Sequence, residues 1–90
     1  SFGQITIAGK VVSEEDSMGL PGVSINEVGT SNRVMADLDG NYKIVVSDTA
    51  TVLEFSFVGY VSRMVPINGQ TEINTSLKQY AIYDAFDQRI

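Results

Sequence analysis

Apolar and polar residues alternate with a period of two along most of the chain, from position 4 to position 78. Within 41–46, for example, Tyr42, Ile44 and Val46 fall on one face, and polar residues fill most of the other. Successive side chains of a strand point to opposite sides of its sheet, so this alternation is typical of a half-buried β-strand. The pattern therefore predicts an all-β chain.

Turn-forming residues divide the alternating pattern into seven short strands, with no helical periodicity between them. The predicted strands cover residues 4–12, 23–28, 33–38, 41–46, 52–58, 61–67 and 72–78. Seven short strands separated by turns indicate two antiparallel sheets packed face to face as a β-sandwich.

A small set of residues marks the predicted turns: Pro21, Gly22, Asp39, Gly40, Gly59, Asn68 and Gly69. The pairs Asp39-Gly40 and Asn68-Gly69 fit the type I′ turn, in which both central residues need positive φ. We therefore expect each pair to close a β-hairpin, the first of which joins the third predicted strand to the fourth.

Two further residues predict how particular strands are placed. Gly9, inside the first strand, predicts a bulge or the close approach of another backbone segment. Pro66 has no N–H for a ladder hydrogen bond, so it predicts an edge position for the strand over 61–67. An open edge can pair with a second copy, and a weak homodimer is therefore one expected partner state.

Length and composition describe one small domain that depends on its own core. The chain has 90 residues, is 43% hydrophobic and contains no cysteine, so no disulfide can stabilise it. Its net charge is −5 and its six basic residues are scattered singly, which argues against nucleic-acid binding. The longest apolar run is far below the roughly 20 residues of a membrane-spanning helix, so we expect no membrane span.

The residues that most catalytic mechanisms require are absent from this sequence. Without histidine or cysteine there is no Ser-His or Cys-His pair, and no imidazole or thiolate metal site. A carboxylate pair remains open in principle, but Asp37 and Asp39 lie at a predicted turn tip that offers little cleft. We expect no enzymatic activity, no metal and no cofactor.

The segment Asp37-x-Asp39-Gly40-Asn41 also resembles a calcium loop, because oxygen ligands stand at alternate positions. An EF-hand loop needs its glycine at the sixth position, whereas Gly40 is fourth from Asp37. A turn accounts for the same residues without an ion, and we favour that interpretation.

Candidate interaction residues lie at one turn and in the C-terminal segment. Tyr60 follows Gly59 at a predicted turn and is the aromatic residue most expected to be exposed. In the segment 80–90, Tyr83 and Phe86 belong to a weak helical stripe that suits docking. The predicted organisation is a β-sandwich over 1–79 followed by a tail or linker over 80–90.

Five segments, in order, resemble a known domain family. They read ITIAGKVV (5–12), LPGVSI (20–25), ADLDGNY (36–42), FSFVGY (55–60) and INTSLK (73–78). The chain is similar to the carboxypeptidase-regulatory-like domain, and most similar to the version at the N-terminus of SusC-like TonB-dependent outer-membrane transporters. The resemblance implies a seven-stranded, antiparallel Greek-key sandwich of the transthyretin type.

The resemblance also implies a function. It suggests a non-catalytic accessory domain on the periplasmic side of the outer membrane, within a larger importer of nutrients such as glycans. The expected partners are then the plug and barrel that follow in the same polypeptide, or another protein of the cell envelope. The alternative is a cell-surface or secreted module that binds glycan or protein.

Overall fold

A computed structural model of the chain describes residues 3–80, and their regular secondary structure consists of strands. These strands are β1 Gln4–Ser13, β2 Ser24–Glu27, β3 Arg33–Met35, β4 Asn41–Ser47, β5 Val52–Ser56, β6 Arg63–Pro66 and β7 Thr75–Leu77. One sheet has the order β4-β1-β7 and the other has the order β3-β2-β5-β6. The predicted seven-stranded β-sandwich is confirmed.

Apolar side chains from both sheets meet in one core. Ile7, Ile25, Ile44, Leu53 and Phe55 have no solvent exposure. β4 alternates buried and exposed along its whole length, as the period of two predicts. The rings of Tyr42 and Phe55 meet edge to face across the core, with centroids 5.5 Å apart.

β1 is the central strand of its sheet. It pairs antiparallel with β4 over seven residues and parallel with β7 over three. The predicted antiparallel pairing is therefore corrected at β1 and β7. The reason is that the chain crosses from β6 in one sheet to β7 in the other, and so enters β7 at the end where β1 begins.

The predicted hairpin around Asp39-Gly40 is wrong. β3 pairs with β2 and β4 pairs with β1, so the two strands lie in different sheets. Among the described residues only Ser17 and Asn68 combine positive φ with a side chain, so Asp39 does not adopt the type I′ conformation. Instead, an oxygen of Asp37 accepts the N–H groups of Asp39 and Asn41, both at 2.9 Å. This turn carries the chain across the sandwich.

Asn68 and Gly69 do have positive φ, 49° and 75°, and the Gln70 N–H donates to the Ile67 carbonyl at 2.9 Å. This is the geometry of a type I′ turn. The strands on either side, β6 and β7, nevertheless lie in different sheets, so the second predicted hairpin is also wrong. The edge position predicted from Pro66 is confirmed, since β6 ends its sheet.

The close backbone approach predicted at Gly9 is confirmed. A Cβ atom built on Gly9 would lie 1.8 Å from the carbonyl oxygen of Ile73, the residue beside it in the parallel pairing. Next to this contact the Asn74 side-chain oxygen accepts the backbone N–H of Lys10 at 2.9 Å. The first sheet therefore holds together here only because position 9 has no side chain.

Candidate functional site

One end of the sandwich gathers most of the exposed apolar side chains. We call it the exit end, because β7, the last strand, finishes there and Tyr80, the last described residue, is hydrogen-bonded to Gly59 there. The connections between β1 and β2, between β3 and β4, and between β5 and β6 meet at this end. Its exposed apolar residues are Met18, Met35, Leu38, Val58, Val61 and Tyr80. Apolar residues gathered in this way are typical of an interaction surface rather than of an ordinary loop.

A shallow groove of about 500 Å³ opens at this end, on the outer face of the four-stranded sheet. Its mostly apolar lining consists of Gly22, Ser24, Met35, Ser56, Phe57 and Val58. The hydroxyl oxygen of Ser24 is buried and has no hydrogen-bond partner in the described chain. We call this feature the Met35 groove. Its apolar walls are what it offers to a binding partner.

Tyr60 lies beside the groove, but its ring is already packed against another aromatic ring. Its ring packs against Phe57, with centroids 5.7 Å apart and planes tilted by 34°. The residue is half-buried against the core, and its backbone forms a bridge with Gln79. Tyr60 therefore supports the wall that Phe57 forms. Tyr83 and Phe86, the other predicted interaction residues, lie outside the described residues.

The predicted turn residues lie at both ends of the sandwich. Pro21 and Gly22 precede β2, and Gly59 follows β5, all three at the exit end. Asp39 and Gly40 also lie at the exit end, in the connection between β3 and β4. Asn68 and Gly69, described above, lie at the opposite end.

The acidic connection after β1 is hydrogen-bonded to the segment that follows β7. The Glu15 carboxylate accepts the Ser13 hydroxyl at 2.7 Å and the backbone N–H of Gln79 at 3.4 Å. The hydrogen bond from Ser13 is the main cause that lowers the pKa of Glu15 below its ordinary value. Within residues 3–80 no acidic cluster has the arrangement of a metal site.

Tyr42 is a buried tyrosine whose pKa is raised. Its hydroxyl donates to the Ile73 carbonyl at 2.7 Å, which ties β4 to the segment before β7. Burial disfavours the phenolate and raises the pKa of Tyr42 to about 12.

We expect this raised pKa to appear as a loss of stability at alkaline pH. Because the folded pKa lies above the unfolded value of 10.0, the contribution is complete below pH 10.0 and is lost as the pH rises to about 12. Ultraviolet titration of the folded protein should show a late step of tyrosine ionisation near pH 12. In Tyr42→Phe that late step should be missing, and the account of Tyr42 fails if it persists.

Comparison with known families identifies what the chain is. The model of the family described as CarboxypepD_reg-like domain matches residues 7–84. The chain belongs to the CarboxypepD_reg-like domain family. The resemblance inferred from the five sequence segments is thereby confirmed.

Two relatives of this CarboxypepD_reg-like domain come from the bacterium Formosa agariphila. TonB-dependent receptor P3 is 40% identical over 72 residues, which are 80% of the chain. TonB-dependent receptor P39 is 33% identical over 75 residues, which are 83% of the chain. Each match spans only 7% of the relative, so the chain corresponds to a small part of these receptors.

A solved structure shares the fold. A chain of a type II cohesin–X-dockerin complex from Acetivibrio cellulolyticus superposes with a TM-score of 0.55. The match has 14% identity and covers 80% of this CarboxypepD_reg-like domain and 52% of the other chain. At that identity it shows a shared sandwich architecture and nothing about function.

Over residues 3–80 the structure contains no helix of the length and apolar character that crossing a membrane requires.

The Met35 groove was not predicted from the sequence. Its one advance signal is Met35, a large apolar residue at a position that the alternation assigns to the outer face of β3.

Proposed function

We propose that this domain is a non-catalytic accessory domain of a larger TonB-dependent outer-membrane importer of nutrients such as glycans. It acts on the periplasmic side of the outer membrane. The observation that carries the proposal is the match to two TonB-dependent receptors at 40% and 33% identity. In both, the matched segment is a small fraction of a much longer chain, as an accessory domain would be.

The chemistry of the chain supports a binding rather than a catalytic role. The sequence has no histidine or cysteine to act as nucleophile, general base or soft metal ligand. The carboxylate of Asp37 is engaged by two backbone N–H groups of its own turn. The Met35 groove has a mostly apolar lining, which suits contact with polypeptide.

The proposed partners follow from the exit end. The plug and barrel of the same polypeptide, or another envelope protein, would face the exit end. The exposed side chains of Leu38, Val58 and Tyr80 provide the apolar contacts there. The homodimer through β6 stays a prediction.

Fractionation of source cells tests this proposal. An antibody raised against the domain should detect an outer-membrane protein of roughly 1,000 residues, since 72 residues make up 7% of the P3 receptor. A small protein in the soluble fraction, or a secreted one, would contradict the importer assignment. Cells lacking the gene serve as the control for antibody specificity.

The second candidate is a surface or secreted module that binds glycan or protein. The specific observation in its favour is the ring pair of Phe57 and Tyr60 beside the Met35 groove. Aromatic rings at the rim of a groove are a common way to stack on an apolar sugar face or to anchor a peptide. Saturable glycan binding that is lost in Phe57→Ala would favour this candidate over the first.

A further inference from the structure

The hydrogen bonds between β2 and β3 determine which backbone groups of β3 face away from its sheet. The Glu27 N–H donates to the Asn32 carbonyl at 2.9 Å, and the Ala36 N–H donates to the Val23 carbonyl at 2.8 Å. The register between these two bonds is continuous, and in an antiparallel ladder only every second residue bonds to the neighbouring strand. Val34 therefore bonds to β2, and the residues directly before and after it do not.

Arg33 and Met35 consequently turn their backbone N–H and C=O groups outward. β3 is the first strand of its sheet, so no strand of the sheet lies on that side. Within residues 3–80 these four groups have no hydrogen-bond partner. Donors and acceptors that alternate in this way along a strand edge are the groups with which another extended chain pairs.

The three other edges of the two described sheets are covered or interrupted. On β4 the side-chain amide of Asn32 donates to the outward carbonyl of Val45 at 2.6 Å, and so lies across the middle of that edge. β6 ends at Pro66, which has no N–H to offer. Along β7 the Val61 N–H donates to the Lys78 carbonyl at 2.8 Å. Among the described strands, β3 therefore keeps an uninterrupted open edge.

The side chains of β3 determine which strand would suit this edge. Arg33 and Met35 are exposed on the outer face of the sheet, and Val34 is half-buried against the core. Cross-strand neighbours are favoured when an acidic residue lies opposite Arg33 and apolar residues lie opposite Val34 and Met35. A strand that runs antiparallel to β3 would therefore read apolar, apolar, acidic.

We propose that β3 is a docking edge, to which a partner polypeptide adds an extended segment as a fifth, antiparallel strand of the sheet. The backbone of this segment pairs with the outward groups of Arg33 and Met35. Its central side chains, apolar, apolar and acidic, meet Met35, Val34 and Arg33 in that order. The inference does not depend on the proposed function, since it rests on the edge of the sheet alone.

A second copy of this chain suits the edge less well than such a partner. In an antiparallel pair of two β3 strands, Arg33 of each copy would lie opposite Met35 of the other, so neither arginine would meet an opposite charge. Each copy also carries a net charge of −5, and two copies therefore repel each other.

Amide hydrogen exchange in the 90-residue chain, measured by NMR, tests whether the edge is open. The Arg33 and Met35 N–H groups should exchange fast and the Val34 N–H slowly, because only Val34 donates to β2. Protection of Arg33 and Met35 that rises with protein concentration would overturn the proposal in favour of a second copy. Protection at every concentration would mean that the chain covers its own edge, and would overturn it as well.

Two short peptides with blocked ends test the chemistry of the added strand. The first reads Thr-Thr-Val-Val-Glu-Thr-Thr, and the second has lysine in place of glutamate. Titration of the isotope-labelled domain with the first peptide should shift the Arg33 and Met35 amide signals and slow their exchange. The lysine peptide should bind several-fold more weakly. Equal binding of both peptides, or no effect of the glutamate peptide at millimolar concentration, would contradict the proposal.

Matched proline substitutions at two edges locate the binding. Met35→Pro removes an outward N–H of β3 and spares the ladder with β2, so it should abolish binding of the glutamate peptide. Met64→Pro makes the same change on the outward side of β6 and should leave binding unchanged. Binding that survives Met35→Pro, or that Met64→Pro removes, would overturn the assignment to β3. Circular dichroism shows whether each variant keeps the sandwich.

Arg33→Glu provides an independent check that changes only an exposed side chain and does not require proline to be tolerated. The variant should bind the lysine peptide several-fold more tightly than the glutamate peptide, reversing the preference of the unmodified domain. An unchanged preference would overturn the predicted pairing of the acidic residue with Arg33.

Discussion

Gly9→Ala is expected to lower the free energy of unfolding by about 3 kcal/mol or more, which is large for the addition of one methyl group. The new Cβ would lie 1.8 Å from the Ile73 carbonyl oxygen and 2.6 Å from its carbon. Both are backbone atoms, so no side chain can rotate out of the way. β1 and the segment before β7 would have to separate.

The same carbonyl also holds Tyr42, and this makes the loss larger. Its oxygen accepts the Tyr42 hydroxyl at 2.7 Å, and the Asn74 side chain pairs with Lys10 next to it. A displaced Ile73 would leave the buried hydroxyl unsatisfied, which costs about 1–3 kcal/mol by itself. We therefore expect urea unfolding of Gly9→Ala to show a strongly reduced midpoint.

Gly29→Ala is the matched control for this substitution. Gly29 has a φ of 89° and nothing within 4 Å of an added Cβ, so only conformational strain opposes alanine there. That strain costs about 1–2 kcal/mol. If Gly9→Ala destabilises the domain no more than Gly29→Ala does, the close approach at Ile73 is not a constraint on the fold.

Phe55→Ala is expected to cost about 3–5 kcal/mol, because it leaves a cavity at the centre of the core. Phe55 has no solvent exposure, and its ring meets that of Tyr42 edge to face. A domain of 90 residues has a total stability of roughly 5–10 kcal/mol, so the variant should keep only a small margin. Thermal unfolding followed by circular dichroism measures the change.

Phe57→Ala is the matched comparison, because it removes the same side chain from the same face two residues further along. Phe57 is only half-buried and packs against Tyr60 at the rim, so its loss should cost less than half as much. A loss at Phe57 that equals or exceeds the loss at Phe55 would place the centre of the core at the exit end instead.

Much of the fold was predictable because burial in a sandwich follows the period of two. Tyr42, Ile44 and Val46 were assigned to one face and are buried, and Pro66 correctly indicated an edge strand. Alternation does not say which strands pair, however. β3 and β4 both turn apolar residues toward the shared core, and this pattern is the same whether two strands share a sheet or face each other.

The turn at Asp39-Gly40 shows why strand pairing was missed. The dipeptide suits a type I′ hairpin, but the preceding Asp37 offers a carboxylate to two backbone N–H groups. That side-chain bond stabilises a different turn, which directs the chain into the opposite sheet. The turn preference of the dipeptide alone predicted the hairpin, because that preference does not include the competing hydrogen bond from a neighbouring side chain.

The groove could not be predicted because its walls come from separate parts of the chain. Met35 ends β3, Ser24 begins β2, and Val58 follows β5. Only the pairing of β2 with both β3 and β5 brings these residues together. The family itself was recognisable, because its turn and core segments recur in order along the sequence.

Protease treatment of intact source cells tests the proposed location and role most directly. An antibody to the domain should still detect the full-length protein after a broad-specificity protease has been added outside the cells. It should lose that signal once the outer membrane is permeabilised, because a periplasmic domain is then reached. Loss of the signal from intact cells would place the domain on the surface, contradicting the accessory role and supporting the binding module.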